Sequence, residues 1–157
     1  MLAANGGGAS HAPKKAIHSI SASVYAHGTE DEDKVLHALR LVVPESVSVN
    51  RQLVTGHFGN RILVFTARTE KTREARGIIN EIKKKLPKGE LNELRDQIAQ
   101  HLNQECTLVL KFDKQAAARG FLRQGNDDPI VLRAKIAAYP AHVETAAQIA
   151  RELLDNA

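Results

Sequence analysis

The residues of this chain that could do chemistry are its cations, its acidic clusters and its histidines. From Arg68 to Lys88, eight Lys or Arg stand against three Glu, a surplus of five that exceeds the net charge of +4 carried by the whole chain. Positive charge concentrated in this way suits a polyanion, whose phosphates it neutralises. Arg133 and Lys135 add a basic pair at alternate positions. Lys114 follows Asp113 at the expected start of a short helix, where unpaired backbone N–H groups favour an anion and the lysine can hold a phosphate; the alternative is that Asp113 fills the cap and repels an anion, and Lys114 is simply exposed. His57 and Phe58 lie between Gly56 and Gly59, and rings on such a loop can stack on unpaired bases. The alternative for Phe58 is that it folds back over the edge of the core.

Catalysis would need a nucleophile, an acid–base pair or a metal. The seven histidines, His11, His18, His27, His37, His57, His101 and His142, show no ligand-type pairing at helical spacing. Asp127 and Asp128 with His57 come nearest to a hydrolytic set, but adjacent carboxylates beside Gly125 and Asn126 read as turn chemistry. Glu30, Asp31, Glu32 and Asp33 are metal-ligand types, yet a helix start calls for acids there without any metal. There is no phosphate loop, no Gly-x-Gly-x-x-Gly and no Gly-x-Ser-x-Gly. Cys106, the single cysteine, excludes an internal disulfide and a Cys-rich zinc site, and it lies beside a strand rather than at a helix start. The chain is therefore read as no enzyme, with no cofactor and no metal.

At 157 residues the chain fits one domain, able to bury roughly 70% of its unfolded surface without covalent staples. No apolar run approaches the roughly 20 residues of a membrane helix, and Met1 to Ala4 is too short for a signal-peptide core. A reducing cytoplasm is the expected location. Residues 1–15, with Gly6-Gly7-Gly8 and Pro13, offer nothing to pack and read as a disordered tail ahead of a domain spanning 16–157.

The elements that must position these groups follow from periodicity. Ile17 to His27 alternates apolar and polar, as a half-buried strand does. Thr29 with Glu32 forms a capping-box pattern that opens a helix burying Val35, Leu36, Leu39 and Val42, and Pro44 ends it. Val47 to Thr55 and Arg61 to Ala67 are strands of a hairpin. Glu70 to Leu86 is an amphipathic helix with Ala75, Ile78, Ile79, Ile82 and Leu86 on one stripe and Arg73, Arg76, Lys83 and Lys84 on the other. Beyond Pro87-Lys88-Gly89, Leu91, Leu94, Ile98 and Leu102 predict a helix to about Asn103. Thr107 to Phe112 is a strand that stops at the N-cap Asp113, followed by the helix formers Ala116 to Ala118 and by Gly120 at the helix end. Ile130 to Ala138 alternates again, and a last helix runs from about Ala141 to Leu154.

Several of these stretches carry a resemblance. The run Phe112-Asp113-Lys114-Gln115-Ala116-Ala117, with Tyr25 to Asp31, His57-Phe58-Gly59-Asn60 and Ala138-Tyr139-Pro140, resembles the archaeal predicted exosome-subunit family of RNA-binding proteins, over about Ile17 to Leu154. The resemblance implies an α+β fold like that of the ribosomal protein that binds 5S rRNA, and a role around RNA processing. The element order β-α-β-β-α-α-β-α-β-α by itself predicts one α+β domain, a mainly antiparallel twisted sheet with helices on one face. Its open face would carry Ser19, Ser21, Ser23, Tyr25, Lys111, Arg133 and Lys135, a surface for phosphates and 2′-hydroxyls rather than a base code. Two functions stay open. The chain binds RNA non-catalytically through Arg73, Arg76, Lys83, Lys84, Arg133 and Lys135, with His57, Phe58 and Lys114 as further contacts, or it is an adaptor whose basic helix meets an acidic protein subunit of an exosome-like assembly.

Overall fold

The computed structural model describes residues 15–155. Among them the chain runs β1 (Ile17–His27), α1 (Glu32–Arg40), β2 (Val49–Thr55), β3 (Arg61–Thr69), α2 (Thr72–Lys85), α3 (Lys88–Asp96), a 3-10 turn (Ile98–His101), β4 (Thr107–Phe112), α4 (Lys114–Ala118), β5 (Ile130–Ile136) and α5 (Val143–Leu153). The five strands form one antiparallel sheet in the order β2-β3-β1-β5-β4. This is the single α+β domain that the periodicity predicts. The expected tail lies outside the described residues except for Lys15.

Strand alternation decides which side of the sheet is covered. Ile20, Ala22 and Val24 of β1, Phe65 and Ala67 of β3, Leu108, Leu110 and Phe112 of β4, and Ile130, Leu132 and Ala134 of β5 are all buried. They share one core with Val35 and Leu39 of α1, Ile78 and Ile82 of α2, Leu91 and Leu94 of α3, and Ala146 and Ala150 of α5. The helices therefore occupy one face, because burying one apolar side of each strand leaves the other side for water.

Local departures from the sequence reading have physical reasons. The cap of α1 is Asp31, whose carboxylate accepts from the Asp33 N–H at 3.0 Å, and not Thr29. Thr29 falls inside a turn closed by the Glu30 N–H donating to the His27 carbonyl, so the helix begins later. The helix expected to reach Asn103 ends at Asp96, and the 3-10 turn then leads Leu102 to bridge Leu108 beside β4. The Asn103 side-chain oxygen accepts from the N–H groups of Glu105 and Thr107, which fixes that turn in a non-helical form. Strand β3 runs two residues past Ala67, to Thr69.

Candidate nucleic-acid interface

The register of the sheet builds the open face row by row. Ser21 lies opposite Arg68 on one side and Arg133 on the other, and Arg133 lies opposite Val109. Ser19 faces Lys135, which faces Thr107, while Ser23 faces Val131, which faces Lys111. Directly opposed residues project to the same side, so Ser19, Ser21, Ser23, Tyr25, Lys111, Arg133 and Lys135 share the face that their alternation predicts. The strand positions on this face include Arg68, Lys111, Arg133 and Lys135 and no Asp or Glu. Arg68 is paired at its guanidinium with the exposed Glu70 (2.9 Å), and the Lys135 ammonium donates to the Glu105 carbonyl (2.5 Å). Arg133 and Lys111 meet no carboxylate within 4.0 Å among the described residues, which leaves their charge for a ligand.

The second cationic surface is α2. Its stripe of Ala75, Ile78, Ile79, Ile82 and Leu86 is buried as the spacing requires, so Arg73, Arg76 and Lys84 stand on its solvent side with Lys83 half-buried. Glu81 accepts from Lys85 (2.8 Å) and Lys84 (3.4 Å), and the Lys85 hydrogen bond chiefly holds the Glu81 carboxyl below its ordinary pKa. Lys85 also donates to the Leu41 carbonyl, so it ties α2 to the end of α1. Because α2 packs its apolar stripe against the covered side of the sheet, its basic ridge faces away from the open face. The two surfaces lie on opposite sides of the molecule.

Lys114 corrects an expectation. It is 2% exposed, and its ammonium donates to the Tyr25 carbonyl (2.9 Å), Glu30 Oε1 (2.9 Å) and Asp128 Oδ2 (2.5 Å). Three N–H groups meet three oxygens, so the side chain is a buried strut between β1, the start of α1 and the loop before β5, and it has no proton left for a phosphate. Burial works against both carboxylates, but the His27 N–H and Lys114 lower the pKa of Glu30, and Lys114 with the His27 ring lowers that of Asp128. Asp128 reaches this position with φ 47, a left-handed conformation that Asp tolerates. His27 Nε2 lies 3.2 Å from Asp128 Oδ2, and ligand atoms of His27, Glu30 and Asp128 fall within 4.8 Å of one another. These are metal-ligand types at close range, but the Lys114 ammonium already sits on the same Glu30 and Asp128 oxygens. The histidine beside Asp128 is thus His27, whereas His57 lies at the hairpin tip with its ring edge-on to Phe58 at 4.9 Å. Phe58 is 91% exposed and does not fold back over the core.

A family model described as RNA binding matches residues 19–136, from the first serine of the open face to the end of β5. The chain belongs to this RNA-binding family. It is similar to the RNA-binding protein PAB1135 of Pyrococcus abyssi, 31% identical over 151 residues that cover 92% of this chain and 98% of that protein. Among solved structures it is similar to Mth689, a DUF54 protein of Methanothermobacter thermautotrophicus, with 32% identity, a TM-score of 0.74, and coverage of 89% of this chain and 99% of that one. Protein AF2318 of Archaeglobus fulgidus gives a TM-score of 0.77 at 25% identity, covering 87% and 99%. The span matched to the RNA-binding family takes in all five strands except the first two residues of β1 and leaves α5 outside. One cation of the face escaped the sequence reading: Arg68, which lay beyond the expected end of β3 although it continues the alternation of Ile62, Val64 and Thr66.

Proposed function

We propose that this protein binds RNA non-catalytically, by its backbone, on the open face of the sheet, and that it acts in RNA processing or degradation in association with the archaeal exosome. The observation that carries the binding site is a five-strand face bearing Arg68, Lys111, Arg133 and Lys135 among serines, with no carboxylate at its strand positions. Arg68 and Arg133 flank Ser21 on neighbouring strands, so their backbones stand about 10 Å apart; Arg133 offers its guanidinium directly to one phosphate, and Arg68 reaches a second by giving up its exposed partner Glu70. The serine hydroxyls between them can meet 2′-hydroxyls or phosphate oxygens. Tyr25, 48% exposed, is a ring on this face, and Phe58 with His57 adds a stacking contact at the hairpin tip. The name of the Pyrococcus abyssi relative supports RNA as the ligand. The sequence resemblance supports the exosome association and a kinship with the 5S-rRNA-binding ribosomal protein.

The adaptor reading attaches to α2. Its ridge of Arg73, Arg76, Lys83 and Lys84 faces away from the sheet, where it can meet an acidic protein surface while RNA occupies the other side.

Fluorescence anisotropy of labelled RNA against the purified protein, over a series of salt concentrations and without divalent metal, tests the reading. Each phosphate contact contributes about −0.7 to the log–log salt slope on single strands. Arg68→Ala with Arg133→Ala should weaken binding and flatten the slope by about 1.4. Neutralising the four α2 residues should leave RNA affinity near that of the unmodified protein and instead release an acidic protein partner. No RNA binding at low salt would overturn the proposal.

A further inference from the structure

Strand β4 is an outer strand of the sheet, and among the described residues its free edge is covered only at its ends. At one end the Asn103 N–H donates to the Thr107 carbonyl (3.0 Å). At the other the Gly125 N–H donates to the Lys111 carbonyl (3.2 Å), and the Asp113 N–H donates to the Arg123 carbonyl (2.8 Å). Hydrogen-bonding direction repeats every second residue along a strand, so the carbonyl of Val109, midway between Thr107 and Lys111, points outward with theirs. Beside it opens a cavity of about 540 Å³, within the range of small-ligand sites.

The lining of this cavity is chemically selective. Gln97, Gln100, Gln124 and Asn126 bring side-chain amides, His101 brings a flat ring, Lys111 brings a cation, and no lining residue is an acid. Each amide is a planar group with a donor and an acceptor side by side, the complement of a nucleobase edge. An imidazole can stack on a base, and an ammonium can hold its phosphate. Lys111 and Val109 belong equally to the open face, where Val109 lies opposite Arg133, so the row Arg68–Ser21–Arg133 leads into the cavity. We infer that this groove takes one unpaired nucleotide of the bound RNA, with its base among the amides and its phosphate on Lys111. The inference rests on the RNA reading of the sheet face and deepens it: the face holds backbone of any kind, and the groove selects RNA that has a free base.

The experiment compares a short single-stranded RNA with a blunt duplex of the same length, using the unmodified protein and the double variant Gln100→Ala with Asn126→Ala. Both side chains are exposed, and an unchanged melting temperature verifies the fold. The variant should bind the single strand about tenfold more weakly and the duplex as before, since a paired base cannot enter the groove. In the unmodified protein, the side-chain amide signals of Gln100 and Asn126 in a nitrogen-correlated NMR spectrum should shift with the single strand and stay in place with the duplex. Equal affinity of the variant and the unmodified protein for the single strand would overturn the groove while leaving the RNA reading intact, and so would equal losses on both RNAs. Binding of neither RNA by the unmodified protein would overturn the RNA reading itself, and the groove with it.

Discussion

The Lys114 ammonium, taken out of water, is held by two carboxylates and a carbonyl, and removing it leaves those oxygens facing one another. Breaking a buried ion pair typically costs about 3–5 kcal/mol. Here the side chains of Glu30 and Asp128 are 23% and 37% exposed, so water can reclaim part of that loss. Lys114→Met should destabilise the fold by about 2 kcal/mol, read from denaturant unfolding. The pH dependence has a definite sign. Both carboxyls have a lower pKa in the folded protein than in the unfolded chain, so their contribution is complete only above about pH 5, past the unfolded values, and disappears as pH falls through the lowered folded values. Unfolding free energy measured from neutral to acid pH should therefore drop on that limb in the unmodified protein and drop less in Lys114→Met. None of this was legible locally, because Glu30 is 84 residues from Lys114 and Asp128 is 14. The sequence placed the lysine correctly beside a cap, and only tertiary packing turned it inward.

At the scale of the element, the strand-to-helix turn at Asp113 was readable almost residue by residue. Asp113 accepts from the Gln115 N–H at 3.0 Å and Gly120 takes φ 93, as a cap and a helix end demand. Asp113→Ala should cost about 1 kcal/mol, and Gly120→Ala a similar amount because an L side chain resists that backbone conformation, both measurable by thermal unfolding. Elements were less legible where alternation met a boundary. Val47 to Thr55 was read as one strand, but pairing starts at Val49, opposite Ala67. Arg68 lay beyond an expected strand end, and its membership of the cationic face was missed with it. The 3-10 turn had no periodic signature of its own, since Ile98 and Leu102 also satisfy a helical spacing.

For the whole molecule, the two basic surfaces were legible one at a time, but their placement on opposite sides was not, because it depends on the order β2-β3-β1-β5-β4 and on all helices sharing one layer. Saturating single-stranded RNA should slow hydrogen exchange in β5, β4 and the 3-10 turn and leave α2 unchanged, an outcome that mass spectrometry of peptides can check. The same strand order has a consequence for biosynthesis. The first strand made is the central one, and it joins the β2–β3 hairpin to the β4–β5 pair. Ser23 pairs with Val131, roughly a hundred residues downstream, so at ribosomal speeds of about 5–20 residues per second one edge of β1 waits several seconds for its neighbour. The nascent chain can close only half a sheet in that interval. Until then the backbone N–H and C=O groups along that edge of β1 stand unpaired, a template on which another unfinished chain can add a strand.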